Sequence, residues 1–190
     1  MNSIDSWSDR DKFLALSFLP LQEQDFALLL DWLNQPHVRA FYQPKRVEQN
    51  GITSKYQPRP NPDSPIHCYI INFENIAVGY IQTYLISIDT DLSELIGTLE
   101  GATIDLYIGN PAFINRGLGW LIELKFLQKI LFAKFATPKC YIYHDAKNLA
   151  ALGALSKAGF RHVKDVNKDR ILEIAKVEVE QKINGLLNRT

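Results

Sequence analysis

A basic, glycine-containing turn is the segment of this sequence whose residue types could do chemistry most directly. Arg116-Gly117-Leu118-Gly119 follows a strand-like run and opens a long apolar stretch. Glycines let the backbone come close to a ligand, and the N–H groups in the first turn of a helix have no partner within that helix. With the charge of Arg116 beside them, these groups would bind a phosphate or another anion. The turn is neither a P-loop nor a dinucleotide fingerprint, and an ordinary tight turn is the alternative.

A carboxylate lies in the strand that leads into this turn. Asp105 belongs to the run Ala102 to Ile108, which we predict to be a strand. A carboxylate at a strand end that faces a cleft can accept a proton from an amine, directly or through water. The sequence therefore predicts Asp105 as a general base, and the alternative is an acid that only bonds to neighbouring backbone.

The elements that must position these residues follow from the hydrophobic periodicity. We predict one mixed α/β domain over residues 1–190. The predicted strands are 13–18, 66–73, 76–84, 102–108 and 139–143, followed by a closing hairpin over 161–180. The predicted helices are 24–34, 38–42, 118–135 and 148–157. Two loops are predicted: a proline-rich one at 57–65, either a connection or a flap over a site, and an acidic one at 89–101.

A second motif follows the strand 139–143. Asn148-Leu-Ala-Ala151 opens a helix that ends in Lys157-Ala-Gly159-Phe160. The order strand, R-G-x-G turn, long helix, strand, N-x-x-A, helix and K-A-G-F resembles the GNAT superfamily of acetyl-CoA-dependent N-acetyltransferases, from about Phe13 to the end of the chain. This resemblance implies an α/β (α+β) fold with a central mixed sheet of six to seven strands, splayed in the middle and covered by helices on both faces.

The same resemblance implies where acetyl-CoA binds. The pantetheine arm is expected along the strand edge, the pyrophosphate on the turn, and the second motif on the other side of the cofactor. The cofactor-binding residues implied in this way are Leu106, Tyr107, Ile108, Asn115, Arg116, Gly117, Leu118, Gly119, Trp120, Asn148 and Ala151. Backbone N–H groups at the splay would stabilise the oxyanion that develops during acyl transfer, and no metal is implied.

The N-terminal half resembles a narrower group, the aminoglycoside 6'-N-acetyltransferases and their siderophore-synthesis relatives. The matching segments are Asp31 to Tyr42, Gly79 to Tyr84 and Ile104-Asp105, and Gly-Tyr-x-Gln-x-Tyr leans toward the aminoglycoside branch. The resemblance implies Asp105 as the catalytic base and an aminoglycoside 6'-amine as the acceptor, with antibiotic resistance as a consequence. The substrate-binding residues predicted for this site are Tyr42, Gln82, Tyr84 and Asp145.

Two positions depart from the GNAT pattern. Many of these enzymes have a tyrosine two residues before the Lys of K-x-G-F, as the acid that protonates the leaving thiolate, and here Leu155 stands there. Tyr107 and Tyr143 are conceivable substitutes, although a thiol with a pKa near ~8.5 also leaves acceptably as thiolate. The polar residue usual three positions before the first glycine is Ile114, which removes one phosphate contact.

Other functions remain compatible with the sequence. The same fold could acylate the side-chain amine of lysine or hydroxylysine in siderophore synthesis. Leu155 also keeps open a non-catalytic module that binds CoA. The acidic residues of the loop 89–101 would either be solvated or supply a negative surface for a polycationic acceptor; they are Asp89, Asp91, Glu94 and Glu100.

Composition excludes several other classes of protein. The chain has 190 residues, 46% of them apolar, and its 21 basic and 21 acidic residues balance, so no global field would hold a nucleic acid. Two distant cysteines, Cys68 and Cys140, exclude a disulfide scaffold and suggest no zinc site. With no signal-like or membrane-spanning run, we expect a cytoplasmic enzyme that acts on a small-molecule amine as a monomer or homodimer.

Overall fold

The computed structural model describes residues 4–188, and in them it contains a single β-sheet of seven strands flanked by helices. The strands are β1 (Leu16–Pro20), β2 (His67–Phe73), β3 (Ile76–Leu85), β4 (Ala102–Ile108), β5 (Lys139–Asp145), β6 (Arg161–Val166) and β7 (Asp169–Ala175). The helices are α1 (Asp9–Ala15), α2 (Phe26–Leu33), α3 (Pro36–Arg39), α4 (Gln49–Tyr56), α5 (Thr90–Ile96), α6 (Gly119–Phe126), α7 (Phe132–Lys134), α8 (Leu149–Ala158) and α9 (Lys176–Leu187).

The sheet is mixed and opens in its middle. Its strand order is β1-β2-β3-β4-β5-β7-β6, and β4 and β5 are the parallel pair. These two strands pair only at Ala102↔Cys140 and Thr103↔Tyr141. Beyond that point β4 stays paired with β3 and β5 with β7, so β4 and β5 diverge. The expected GNAT fold, with a mixed sheet of six to seven strands splayed in the middle, is confirmed.

The two faces of the sheet carry separate cores. Successive side chains of a strand point to opposite faces. In β4, Ala102 and Ile104 pack in the core that contains α6, whereas Tyr107 packs in the core that contains α2 and α4. Asp105 is two residues from Tyr107 and therefore faces the α2–α4 side.

Segments with strong local signals form where predicted. β2 and β3 are joined at Glu74-Asn75, both with positive φ (48° and 67°), and β4 has the predicted bounds. α8 follows Asn148, whose Oδ1 accepts the N–H of Ala151 at 3.2 Å, and ends at Gly159 with φ of 107°. Caps and turns depend on neighbouring residues alone, which explains why these boundaries can be predicted.

The long helix predicted over 118–135 is present but interrupted. A π-helical turn, Leu127–Leu131, separates α6 from α7. Near the end of α6, Lys125 donates from Nζ to three carbonyls at 2.7, 3.0 and 2.7 Å, those of Phe13, Leu14 and Leu16. The end of α1 is thereby held on the helix that begins at the turn Arg116 to Gly119.

The predicted strand 13–18 is wrong in its first half. Residues up to Ala15 belong to α1, and β1 starts only at Leu16. Ser8 caps α1 by accepting the N–H of Asp11 at 3.1 Å. The short apolar run is compatible with either structure, and the cap upstream favours the helix.

The acidic loop predicted over 89–101 is also wrong in part, because it contains α5. Asp89 is the N-cap residue of this helix and accepts the N–H of Leu92 at 3.0 Å. Leu92 and Ile96 are buried in a small core with Tyr84. Asp89 therefore has a structural role as the cap of α5.

Two further helices were not predicted. α4 is mostly polar and buries only Ile52 and Tyr56. The closing hairpin ends at Ala175, and not at Glu180, because α9 begins at Lys176. Residues 176–180 alternate between polar and apolar side chains as a strand would. Glu178, however, accepts the N–H of Ala175 at 2.8 Å and so caps a helix. The short helix predicted over 38–42 is α3, which Pro36 begins, since proline suits the first helical position.

Three general features of the described residues bear on function. Cys68 and Cys140 are free, buried thiols. Within residues 4–188, no helix is long and apolar enough to cross a membrane. The same residues contain no group of three His, Cys, Asp or Glu side chains placed to hold a metal ion.

Candidate active site

Asp105 is held by a side chain of the neighbouring strand. Gln82 is its register partner on β3, and Gln82 Nε2 donates to Asp105 Oδ2 at 2.8 Å. The hydroxyl of Tyr80 donates to Gln82 Oε1 at 2.8 Å and so fixes which end of the amide faces the carboxylate. Burial raises the pKa of Asp105 above its ordinary value, while the bond from Gln82 and the nearby charge of Lys55 oppose that rise. The carboxyl is thus a stronger base than an exposed aspartate.

A cleft of about 430 Å³ opens beside this pair. Its lining residues are Arg59, Ile66, Gln82, Tyr84, Ile88, Asp89, Thr90 and Asp91. Gln82 and Tyr84 were both predicted to contact the acceptor, and Gln82 connects the cleft to Asp105. Burial, with Asp105 and Asp89 nearby, raises the pKa of Tyr84, so its hydroxyl stays neutral. Asp105 itself does not line the cleft, but Gln82 links it to a cleft whose carboxylates, Asp89 and Asp91, suit an ammonium group.

Tyr42 does not line this cleft. Its ring packs edge-on against Tyr107 at 4.7 Å between centroids, and Lys55 Nζ lies 5.9 Å from its centroid. Burial raises the pKa of Tyr42 well above its ordinary value, and Tyr56 and Asp105 add to this. The predicted substrate contact of Tyr42 stays a prediction.

The turn from Asn115 to Trp120, predicted to bind an anion, has the geometry that its residue types indicate. Asn115 and Gly117 have positive φ of 58° and 73°. Within residues 4–188, the backbone N–H groups of 115–120 have no hydrogen-bond acceptor. The turn therefore presents a row of free donors at the start of α6, which fits the pyrophosphate of a CoA-like molecule.

Arg116 is engaged by the N-terminal segment. Its guanidinium forms an ion pair with the carboxylate of Asp5, and Lys12 Nζ donates to the Arg116 carbonyl at 3.0 Å. No local sequence pattern predicts this contact, since Asp5 and Arg116 are 111 positions apart. The guanidinium of Arg116, which is predicted to bind phosphate, is thus already paired with the carboxylate of Asp5.

The remaining residues of the turn act through their backbone. Leu118 and Trp120 are buried, and a Cβ on Gly119 would lie 3.2 Å from Ala154 Cβ, so glycine lets α6 pack closely on α8. Lys157 Nζ lies 4.2 Å from the ring centroid of Trp120. The side chains at these positions therefore support the turn, and its N–H groups are what a ligand can reach.

The edge of β4 toward β5 is open beyond Thr103, where the pantetheine arm is expected. Leu106, Tyr107 and Ile108 lie along this edge. His37, which the sequence gave no strong reason to choose, places Nε2 2.9 Å from the Ile108 carbonyl oxygen. Trp32 packs so tightly on Gly109 that a Cβ there would lie 2.1 Å from the indole. α2 and α3 therefore hold the end of β4 in place.

The second motif lies across the splay from β4. The side chain of Asn148 caps α8 by accepting the backbone N–H of Ala151, which accounts for the asparagine without a ligand. Asp145 accepts the N–H of Lys147 at 2.9 Å and pairs with Lys168 at 3.2 Å, and these contacts lower its pKa. Asp145 does not line the cleft, and its predicted substrate contact stays a prediction.

The position of the missing tyrosine offers no proton donor. Leu155 is fully buried in the main core. Tyr107 is buried, and its hydroxyl has no hydrogen-bond partner within residues 4–188. Tyr143 on β5 is 40% exposed, and burial and the charge of Asp105 raise its pKa. Both hydroxyls therefore stay neutral, and the raised pKa makes each a weaker acid than an exposed tyrosine.

Comparisons with known proteins identify the family of the chain. The acetyltransferase (GNAT) domain family matches residues 22–168. Two relatives named aminoglycoside N(6')-acetyltransferase type 1, from Klebsiella pneumoniae and Serratia marcescens, are each 26% identical over 148 residues, covering 74% of this chain and 71% of their own.

Solved structures give the same fold. An uncharacterized protein from Bacillus halodurans superposes with a TM-score of 0.81 at 19% identity, covering 90% of both chains. Aminoglycoside acetyltransferase AAC(6')-Ib in complex with coenzyme A superposes with a TM-score of 0.72 at 20% identity, covering 87% of this chain and 98% of that one. From the splayed sheet, the donor-rich turn and the family match, we conclude that the chain belongs to the acetyltransferase (GNAT) domain family, the acetyl-CoA-dependent N-acetyltransferases.

Proposed function

We propose that the protein transfers an acetyl group from acetyl-CoA to a primary amine of a small molecule, with Asp105 as the general base. The observation that carries this proposal is the hydrogen bond of 2.8 Å from Gln82 to Asp105 on a wall of the 430 Å³ cleft. Asp105, whose pKa is raised by burial, belongs to β4, and the edge of β4 toward β5 is open. A carboxyl whose pKa is shifted by burial and by a specific hydrogen-bond partner beside a cleft is a candidate for proton transfer.

Asp105 would act on the protonated acceptor. An ammonium group has no lone pair, so it must lose a proton before its nitrogen can attack a thioester. The raised pKa of Asp105 brings it nearer to that of the amine, which favours the transfer. Gln82 keeps one carboxylate oxygen occupied and leaves the other for the amine.

The turn 115–120 and the open edge of β4 would hold the acetyl donor. The free N–H groups of 115–120 and the guanidinium of Arg116 suit its pyrophosphate, and the open β4 edge suits its amide-containing arm. Acetyl-CoA supplies the activated acetyl thioester. Neutral hydroxyls of Tyr107 or Tyr143 are the proton donors available for the thiolate, in place of Leu155.

The acceptor class that we favour is an aminoglycoside, acetylated at its 6'-amine. The names of the two relatives support this choice. Asp89 and Asp91 add negative charge to the cleft, as a polycationic acceptor requires. The single-domain organisation and the cytoplasmic location expected from sequence belong to the same proposal.

The test is thiol release from acetyl-CoA with kanamycin, tobramycin, lysine and hydroxylysine as acceptors, for the wild type and Asp105→Asn. Asn keeps the shape of the side chain and removes its basicity. We expect kcat/KM with an aminoglycoside to fall about 10²- to 10⁴-fold in the variant, while CoA affinity is unchanged. Full activity of the variant would exclude Asp105 as the base. If every amine is inert while CoA binds, the protein is a CoA-binding module or uses another acceptor.

A further inference from the structure

Lys55 is a primary amine on the side of the sheet that Asp105 faces. It belongs to the last turn of α4, and its Nζ lies 5.4 Å from the ring centroid of Tyr56 and 5.9 Å from that of Tyr42. Tyr42 packs on Tyr107 with 4.7 Å between ring centroids, and Tyr107 is two residues from Asp105 in β4. The rings of two tyrosines therefore connect the amine to the strand that carries the proposed base and borders the expected path of the pantetheine arm.

The ammonium group of Lys55 is not held by a polar group of residues 4–188. Within these residues it takes part in no hydrogen bond and in no ion pair within 4 Å. Other lysine ammonium groups are bound by carbonyl or carboxylate oxygens, among them those of Lys12, Lys125, Lys139, Lys157 and Lys168. The contacts of Lys55 Nζ are the faces of two tyrosine rings, which attract a cation weakly at a solvent-exposed site. The amine is therefore free to move on its flexible four-carbon stem.

The charges of Lys55 and Asp105 act on each other. Burial raises the pKa of Asp105, and Lys55 opposes that rise more strongly than Arg59 does. Burial, together with the charge of Arg59, lowers the pKa of Lys55, while Asp105 opposes that change. A larger fraction of this amine is therefore neutral at a given pH than of an ordinary lysine, and the neutral amine is the form that attacks a thioester.

We propose that the protein also acetylates itself on Lys55, whose Nζ takes the place of the small-molecule amine. This inference rests on the proposed transfer of an acetyl group from acetyl-CoA with Asp105 as the base. Lys55 does not line the acceptor cleft, so its modification needs no bound acceptor and leaves the polycationic acceptor class unchanged.

The bond changes are those of amine acetylation. The ammonium of Lys55 gives one proton to Asp105, directly or through water, and the free Nζ attacks the carbonyl carbon of the acetyl group. The C–N bond forms and the C–S bond of the thioester breaks. A second proton of the nitrogen goes to the departing thiolate, so the products are an N-acetylated lysine, the CoA thiol and the proton held by Asp105.

The experiment incubates the purified full chain with acetyl-CoA and no small-molecule acceptor, and acetylation is measured by intact mass and peptide mapping. The variants are Lys55→Arg, Lys45→Arg and Asp105→Asn. Lys45 is an exposed lysine ahead of α4, so its acetylation measures the uncatalysed reaction of acetyl-CoA with a surface amine. We expect Lys55 to be acetylated about 10²-fold faster than Lys45 in the wild type, the lower end of what a positioned base contributes.

Asp105→Asn should reduce the rate at Lys55 to that at Lys45. Lys55→Arg should lose the rapid acetylation and Lys45→Arg should keep it. Unchanged CoA affinity and melting temperature show that each variant is folded. Equal rates at Lys55 and Lys45 in the wild type would overturn the inference, as would rapid acetylation of Lys55 in Asp105→Asn or a rate per molecule that rises with protein concentration.

Thiol release with kanamycin and hexylamine is measured on the same samples to separate this inference from the proposed function. Transfer to a small amine, with Lys55 reacting no faster than Lys45, would contradict self-acetylation and leave the proposed function intact. Rapid acetylation of Lys55 that depends on Asp105, with no transfer to any small amine, would support self-acetylation and contradict the proposed small-molecule acceptor.

Discussion

Gln82 and Asp105 face each other across β3 and β4, and Gln82 Nε2 donates to Asp105 Oδ2 at 2.8 Å. Tyr80, two residues away on the same face of β3, donates to the other end of the Gln82 amide at 2.8 Å. Burial raises the pKa of Asp105 and the bond from Gln82 lowers it. The amide therefore sets both the orientation of the carboxylate and its strength as a base.

Gln82→Leu should raise the pKa of Asp105 further, because a hydrogen bond that favours the charged carboxylate is lost while the burial remains. Asp105 acts as a base only when deprotonated, so the acidic limb of the kcat/KM profile should move to higher pH. The measurement is thiol release between about pH 5 and pH 9.

The matched control is Thr83→Val, which removes a buried hydrogen bond from the same strand, that of Thr83 Oγ1 to the Thr103 carbonyl at 2.8 Å. Its acidic limb should coincide with that of the wild type. An acidic limb that moves to lower pH in Gln82→Leu would show that another group controls the profile.

Asp5→Asn should strengthen CoA binding about two- to fivefold. The Asp5 carboxylate pairs with Arg116, and this ion pair would have to break before Arg116 could bind the pyrophosphate. Both side chains are partly exposed, so the ion pair is weak. CoA affinity is measured by calorimetry at low and high salt. The gain should shrink as salt screens the charges.

A double variant isolates this competition. In an Arg116→Gln background, Asp5→Asn should no longer affect CoA affinity, because the contested cation is absent. Asp11→Asn removes an acid from the same segment without touching Arg116, and it should bind CoA like the wild type. An equal gain in all backgrounds would indicate a general effect of charge.

Glu123→Gln should alter the pH dependence of stability. Glu123 is buried in α6, and burial alone raises its pKa well above the ordinary value. The folded state then holds a proton that the unfolded state releases above about pH 4.3, so stability is fully present below that pH and declines as pH rises toward the folded pKa.

Urea unfolding at about pH 5 and pH 8 tests this. The wild type should lose stability relative to Glu123→Gln as pH increases, at no more than about 1.4 kcal/mol per pH unit. If the free energy of unfolding changes equally with pH in the two proteins, Glu123 has the same pKa in the folded and unfolded states.

Tyr107→Phe should raise the free energy of unfolding by about 1 kcal/mol, because the Tyr107 hydroxyl is buried with no partner within residues 4–188. Tyr80→Phe is the contrasting variant, since it removes a hydroxyl that is hydrogen-bonded to Gln82. It should lower the free energy of unfolding by about 1 kcal/mol. Both are measured by urea unfolding. If Tyr107→Phe also loses most of its kcat, Tyr107 is the proton donor to the thiolate.

Local signals predicted much of the fold. The bounds of β4, the Glu74-Asn75 turn and the caps of α8 depend on residues a few positions apart, and all formed as predicted. The strand predicted at 13–18 and the alternating residues 176–180 failed because short apolar patterns fit both helix and strand. In both cases a cap hydrogen bond accompanies the helix.

By itself, the sequence determined the turn Arg116 to Gly119, the strand that carries Asp105, and the family to which they point. Only the tertiary structure decided what surrounds them: Gln82 reaches Asp105 from another strand, and Asp5 reaches Arg116 from 111 positions away. It also brought Arg59 and Asp89 to one cleft from segments that no motif connects. The physical reason is that caps and turns are completed by neighbouring residues, whereas the strength of a base and the charge of a cleft depend on groups assembled by long-range packing.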